Sequence, residues 1–101
     1  MRLTHREREV IRRAALDCFG QSAKVRLFGS RANDGARGGD IDLLIETDMI
    51  DVDAIVRAEI VFLVKVQGTL GEQKIDVLID YPGRGESPPI FAVAERSGVS
   101  L

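Results

Sequence analysis

The stretch LFGSRANDGARGGDIDLLI, Leu27–Ile45, joins two hydrophobic runs through a glycine-rich loop. The first run stops at Gly29 and Ser30, and the second opens on Asp40 and Asp42. Side chains alternate across a strand, so two aspartates separated by one residue point to the same face. The stretch therefore predicts a strand, a loop over residues 30–39 and a second strand over residues 40–46, with both carboxylates at the edge of the core.

The segment KIDVLID, Lys74–Asp80, repeats this arrangement later in the chain. Its three aliphatic residues at alternate positions predict one apolar face, and Asp76 falls on the other face. If the two aspartate-bearing strands are neighbours, three carboxylates meet at one end of the sheet. Without a cation they would repel one another, whereas carboxylate oxygens are ligands that Mg²⁺ prefers.

The turn before the loop adds a second element to this pattern. Gly29 lets the backbone approach a phosphate closely, and Ser30 offers a hydroxyl and, if a short helix begins there, unpaired N–H groups. A lone aspartate at a strand edge is usually a cap or a solvated residue, so the prediction of a phosphate-binding metal site depends on the combination. Arg31 and Arg37 could contact a triphosphate, but loop arginines are more often solvated.

The rest of the chain predicts helices around these strands. Thr4 and Glu7 form a T-x-x-E capping box at the start of the first helix, which Gly20 is placed to end. Asp51 or Asp53 can cap a second helix that runs through about residue 66. The residues predicted to form one apolar face of this helix are Val52, Ile55, Val56, Ile60 and Leu63. Its second half, IVFLVKV, is rich in β-branched residues, so a strand there stays an alternative.

A last short helix, IFAVAERS, follows Ser87, Pro88 and Pro89 and is stopped by Gly98. The predicted order is helix, strand, strand, helix, strand, helix. We therefore expect an α/β (α+β) fold, a small mixed β-sheet with flanking helices, in a single domain over residues 1–101.

Composition limits the classes of function. The chain has 101 residues and a net charge of −2, so its overall charge gives no basis for binding nucleic acid or an anionic membrane. A single cysteine, Cys18, excludes an internal disulfide. The charged N-terminal residues and the lack of a long apolar run predict neither a secretory signal nor a membrane span. We expect a cytoplasmic protein.

The residues FGSRA, the glycine-rich loop, DIDLLI and KIDVLI together resemble the minimal nucleotidyltransferases of the DNA polymerase beta superfamily. The resemblance covers roughly residues 23–80, and it matches the family's G-S, D-x-D and third aspartate at Gly29, Ser30, Asp40, Asp42 and Asp76. It implies a polymerase-beta-like nucleotidyltransferase core. It also implies ATP bound against Gly29 and Ser30, and one or two Mg²⁺ ions held by the three aspartates, which would be the catalytic residues.

The resemblance further implies transfer of AMP to a hydroxyl group. Many minimal members are antitoxins that adenylylate a tyrosine of a small helical toxin partner of the HEPN type. We expect no second domain that could enclose a small acceptor, which favours a protein acceptor. The apolar residues within 54–66 are either ordinary core or a docking face, and a homo- or hetero-oligomer is compatible with both.

Two other classes compete with this interpretation. The first is a non-catalytic binding module, an antitoxin that neutralises its partner by contact alone; the retained aspartates and Gly-Ser argue against it. The second is a haloacid-dehalogenase-like phosphatase, in which the hydrophobic strand precedes D-x-D. Here the clearest hydrophobic run, Leu43–Ile45, follows it.

Overall fold

The computed structural model describes residues 3–32, 39–85 and 88–101, without the side chain of Ser30. The fold class is confirmed: within these residues, helices flank a four-stranded mixed sheet. The elements are α1 (His5–Phe19), β1 (Lys24–Phe28), β2 (Ile41–Glu46), α2 (Val52–Leu70), β3 (Ile75–Asp80), α3 (Pro89–Ser97) and β4 (Val99–Ser100), with a short 3₁₀ helix at Gly29–Ala32. The predicted loop positions 33–38 and the predicted helix-opening Ser87 lie outside the described residues.

Local signals in the sequence set the helix ends. The Thr4 hydroxyl accepts from the Glu7 backbone, and the Glu7 carboxylate accepts from the Thr4 backbone, so the capping box is confirmed. Gly20 ends α1 with φ of 107°, a conformation that favours glycine. Asp51 caps α2, which runs four residues beyond the predicted end at residue 66 and is helical throughout. Gly98 ends α3 at φ −73°, where a Cβ would collide with the carbonyl oxygen of Ala94.

The strand order is β3-β2-β1-β4. β1 pairs antiparallel with β2 and with β4, whereas β2 pairs parallel with β3 after the α2 crossover. The two-residue strand β4 was not predicted from the sequence. No helix within the described ranges is long and apolar enough to cross a membrane.

The two faces of the sheet carry different layers. α1 and α2 cover one face, where alternate β2 residues join Phe19 and Phe62 in the larger core; these residues are Ile41, Leu43 and Ile45. α3 lies on the opposite face and packs Phe91 and Ala94 against Leu44 and Phe28. This division matters because Asp42, Leu44 and Glu46, which alternate with the residues of the larger core along β2, face the α3 side.

The predicted apolar face of α2 was wrong in part. Ile55 is buried, but Val52, Val56 and Ile60 are each at least half exposed. The residues that α2 buries in the core are Ile55, Ala58, Phe62 and Val66. Apolar residues lie on both sides of the helix, so hydrophobic periodicity alone did not identify its inner face.

Candidate active site

The parallel pairing of β2 with β3 sets Asp42 directly opposite Asp76. Both residues alternate with side chains of the larger core, so both lie on the α3 face of the sheet. Their side chains are close enough for the negative charge of Asp76 to raise the pKa of Asp42. Two of the three predicted site aspartates are therefore neighbours.

The surroundings of Asp42 disfavour its charge. Burial raises the pKa of the Asp42 carboxyl, and the negative charges of Asp76 and Asp40 raise it further, while Lys74 acts in the opposite direction. Like charges that converge in a partly buried position are costly unless a cation compensates them. The chemistry of this donor set, with oxygen ligands and excess negative charge, fits Mg²⁺.

Asp40, the remaining predicted site aspartate, lies just before β2 and has Lys74 as its partner. The Asp40 Oδ2 atom is 3.5 Å from Nζ of Lys74, and both side chains are largely exposed, at 47% and 70%. An ion pair of this kind contributes little to stability and exchanges readily with other cations. Asp40 is still close enough to Asp42 to raise its pKa.

Gly29 forms the wall of the site next to Asp42. Its φ is +73°, in the left-handed region, and a Cβ built on it would collide with Oδ2 of Asp42 and lie 3.1 Å from Cγ of Asp42. Only glycine fits this backbone conformation and this space without strain. The sequence suggested that Gly29 lets a phosphate approach the backbone closely. In the structure the carboxylate of Asp42 lies against this backbone.

The loop side of the site is described in part. Ser30 lies in the short 3₁₀ helix that begins at Gly29, as expected of a helical turn, but its side chain is outside the description. The Nη2 atom of Arg31 donates to the carbonyl oxygen of Gly39 at 3.1 Å, which joins the two described ends of the loop. Sequence reasoning missed this role of Arg31, and Arg37 lies outside the described residues.

An open cleft of about 540 Å³ adjoins Gly29 and Asp42. Phe28 and Ala32 complete the sheet side of the cleft, and α3 provides its other wall; the α3 residues are Ile90, Val93 and Ser97. The volume falls in the range of roughly 300–1,000 Å³ typical of small-molecule sites. A carboxylate at one end and apolar side chains opposite suit a ligand with a charged part and an apolar part.

A second group of carboxylates lies at the other end of the same strands. Oxygen atoms of Glu46, Asp80 and Glu95 all fall within 4.8 Å of one another, which within the described ranges is closer than the three predicted aspartates. Arginines compensate this group: Nε of Arg26 is 3.8 Å from Oε1 of Glu46, and Nε of Arg84 donates to Oδ1 of Asp80 at 3.1 Å. The sequence analysis missed this group, although Glu46 and Asp80 follow Asp42 and Asp76 by four positions and so share their face.

No family model matches the chain, and no curated protein sequence matches it either. The likeness to the nucleotidyltransferases therefore depends on the motif residues and on their placement in the fold.

Proposed function

We propose that the chain is a Mg²⁺-dependent nucleotidyltransferase that transfers AMP from ATP to a hydroxyl group of a partner protein. The observation that carries the proposal is the placement of Asp42 between Asp76 and the backbone of Gly29. The register pairs the two aspartates, and the left-handed glycine leaves no side chain between the turn and the carboxylate. This juxtaposition supports a site in which phosphate and metal ligands meet.

The residues would share the work as follows. Asp40, Asp42 and Asp76 would hold the metal, which supplies positive charge that offsets both the carboxylates and the phosphates. The backbone around Gly29 and Ser30 would receive the triphosphate. Asp76 is more exposed than Asp42 and would accept the proton of the attacking hydroxyl. The new bond forms between that oxygen and the α-phosphorus, the α–β phosphoanhydride bond breaks, and pyrophosphate leaves.

The acceptor would approach from the α3 side. The exposed residues of α2 lie beyond the layer that covers the opposite face of the sheet, so a protein docked there alone could not reach Asp42. The α3 wall of the cleft, with Ile90 and Val93 more than 40% exposed, offers the nearer apolar contact. We therefore place the docking surface on α3 and keep a tyrosine of a small helical HEPN-type protein as the proposed acceptor.

The proposal is tested by incubating the purified chain with Mg²⁺, ATP and the protein encoded by the neighbouring gene, and measuring intact masses. We expect the partner to gain one or more AMP units, and Asp40→Ala to abolish the gain. Val93→Glu should slow transfer to the partner, because it places a charge in the apolar α3 wall of the cleft. A partner that binds tightly and stays unmodified would favour the non-catalytic binding module instead.

A further inference from the structure

The outer edge of β3 has no partner strand among the described residues, because β3 is the last strand in the order β3-β2-β1-β4. The carbonyl oxygens of Lys74 and Asp80 accept from backbone N–H groups at the two ends of β2, so the even-numbered residues of β3 face β2. In a parallel pair, the residues between them point their N–H and C=O groups the other way. The residues that therefore present unpaired donors and acceptors at the open edge are Ile75, Val77 and Ile79.

β3 is regular along the whole of this open edge. Edge strands of natural proteins are commonly interrupted by a proline or a bulge, or carry lysines. All residues from Ile75 to Asp80 pair with β2 in one unbroken register, and none of them is proline, glycine or lysine. The aliphatic residues among them are only partly buried; they are Ile75, Val77, Leu78 and Ile79. The charged residues, Asp76 and Asp80, both lie on the α3 face, so the edge itself can accept a neighbouring strand.

We propose that β3 of a second copy of the chain pairs antiparallel with this edge, about a twofold axis at Val77, so that the two sheets become one. Val77 then lies opposite its counterpart, and Ile75 lies opposite Ile79 of the second copy. Residues in such hydrogen-bonded pairs exchange both of their backbone hydrogen bonds, which satisfies the open N–H and C=O groups of the edge. The side chains of these residues pack against the larger core, so one apolar row meets another.

The charges on the α3 side of β3 select this register. With the axis at Val77, Lys74 lies opposite Asp80 of the second copy at both ends of the interface. Asp76 then lies opposite Leu78. An axis one residue earlier would set Asp76 against its own counterpart, and an axis one residue later would set Asp76 against Asp80. Directly opposed like charges destabilise a strand pair, whereas opposite charges stabilise it.

The other charges near the edge are compatible with this pairing. The Lys74 side chain is 70% exposed and forms a weak surface ion pair with Asp40, so its ammonium group can also reach Asp80 of the second copy. Arg84 donates to Oδ1 of Asp80, which leaves Oδ2 for Lys74. The two Asp76 carboxylates would lie diagonally across the axis, roughly 7–8 Å apart. This is about the Debye length at physiological salt, so their repulsion is weaker than the attraction of the directly opposed pairs.

This pairing leaves α3 and the cleft of each copy open. α3 packs mainly against Phe28 of β1 and Leu44 of β2, away from the outer edge of β3. The inference depends on the backbone and the charges of β3 and requires no activity. It is thus independent of the proposed function, and each stands without the other.

Sedimentation equilibrium of the intact chain over a concentration series that reaches about 1 mM tests the inference. We expect the mass to rise from 11.1 kDa towards twice that value. Lys74→Glu should weaken the association about tenfold or more, because a glutamate then faces Asp80 at both ends of the interface. Lys65→Glu is the matched control: it makes the same change of charge on exposed α2, beside Arg13 of α1, and should leave the association unchanged. A chain that stays monomeric, or equal weakening by the two variants, would overturn the inference.

Cross-linking with a carbodiimide, which joins an amine directly to a carboxyl group, tests the register separately. Lys74 and Asp80 are about 20 Å apart along one strand, so an amide link between them forms only between copies. The link from Lys74 to Asp40 is the internal control, because these side chains are already 3.5 Å apart in one chain. We expect peptide mass spectrometry to find both links at high protein concentration and only the control link after dilution. A dimer that forms the control link without the Lys74–Asp80 link would rule out the axis at Val77.

Discussion

Two groups of carboxylates share one face of the sheet and differ in what neutralises them. At the C-terminal end of β2 and β3, Glu46 and Asp80 lie beside the guanidinium groups of Arg26 and Arg84. At the N-terminal end, Asp42 lies opposite Asp76, and burial and its acidic neighbours raise the pKa of Asp42. Two arginines offset most of the charge of the first group, which also includes Glu95, whereas Lys74 is the cation beside the second group, which also includes Asp40.

The difference supports the proposed cation site at Asp42 and Asp76. Arginine side chains that already compensate carboxylates leave little electrostatic gain for a metal ion. An uncompensated carboxylate pair next to a left-handed glycine gains most when a divalent cation arrives. Proximity of oxygen atoms alone would select the other group, since the oxygen atoms of Glu46, Asp80 and Glu95 lie closest together.

The largest expected effect comes from Asp42→Asn. Loss of one metal ligand should lower the transfer rate on the order of 10³-fold or more, because a bound metal supplies several kcal/mol of charge stabilisation. Without metal, the variant should melt a few degrees higher than the wild type, since a repelling charge is removed. Glu46→Gln is the matched control: it should keep the activity and melt slightly lower. Transfer assays and thermal melts check both, and an unfolded Asp42→Asn would mean that this carboxylate is structural.

A smaller effect is expected from Gly29→Ala. The left-handed conformation and the collision with Asp42 should together lower the free energy of unfolding by about 2–4 kcal/mol. Gly68→Ala, inside α2 where a Cβ would meet nothing within 4 Å, should instead raise it by about 0.5–1 kcal/mol. Urea unfolding measures both, and equal stabilities would remove the argument for a glycine at the site.

At the second group, Arg84→Met should lower the free energy of unfolding by about 1–2 kcal/mol. The Arg84 side chain is only 15% exposed, donates to Asp80 and lies 3.7 Å above the ring of Phe91. The exposed pair of Arg12 with Glu9 provides the control, and Arg12→Met should cost no more than about 0.5 kcal/mol. Equal losses in the two variants would show that the Arg84 network is no stronger than a surface pair.

The smallest expected effect is in the pH dependence of stability without metal. Because the pKa of Asp42 is raised in the folded state, its contribution is fully present below the ordinary aspartate pKa and is lost as the pH rises through the raised value. Asp42→Asn should lack this loss. Thermal melts of both proteins from acid to neutral pH, in EDTA, give the comparison; parallel curves would refute the raised pKa.

Local signals predicted much of the fold. Three features depend only on neighbours in sequence and could therefore be predicted from it. They are the capping box at Thr4, the break at Gly29 and the alternation around Asp42 and Asp76. The parallel pairing of β2 with β3 could only be assumed, although the site depends on it.

The features that were missed depend on tertiary contacts. α2 is apolar on both faces, so its inner side is chosen by α1 and the sheet rather than by periodicity. The contact of Arg31 with Gly39 spans a loop, and the network of Arg26 and Arg84 joins separate segments. The strand β4 is too short to give a pattern of its own.

The most direct test of the central claim is calorimetry with a nonhydrolysable ATP analogue, in Mg²⁺ and in EDTA. The account predicts binding by the wild type that depends on Mg²⁺ and is lost in Asp42→Asn, while Glu46→Gln binds as the wild type does. Equal affinity in Mg²⁺ and in EDTA, or loss of binding in Glu46→Gln with Asp42→Asn unaffected, would contradict it.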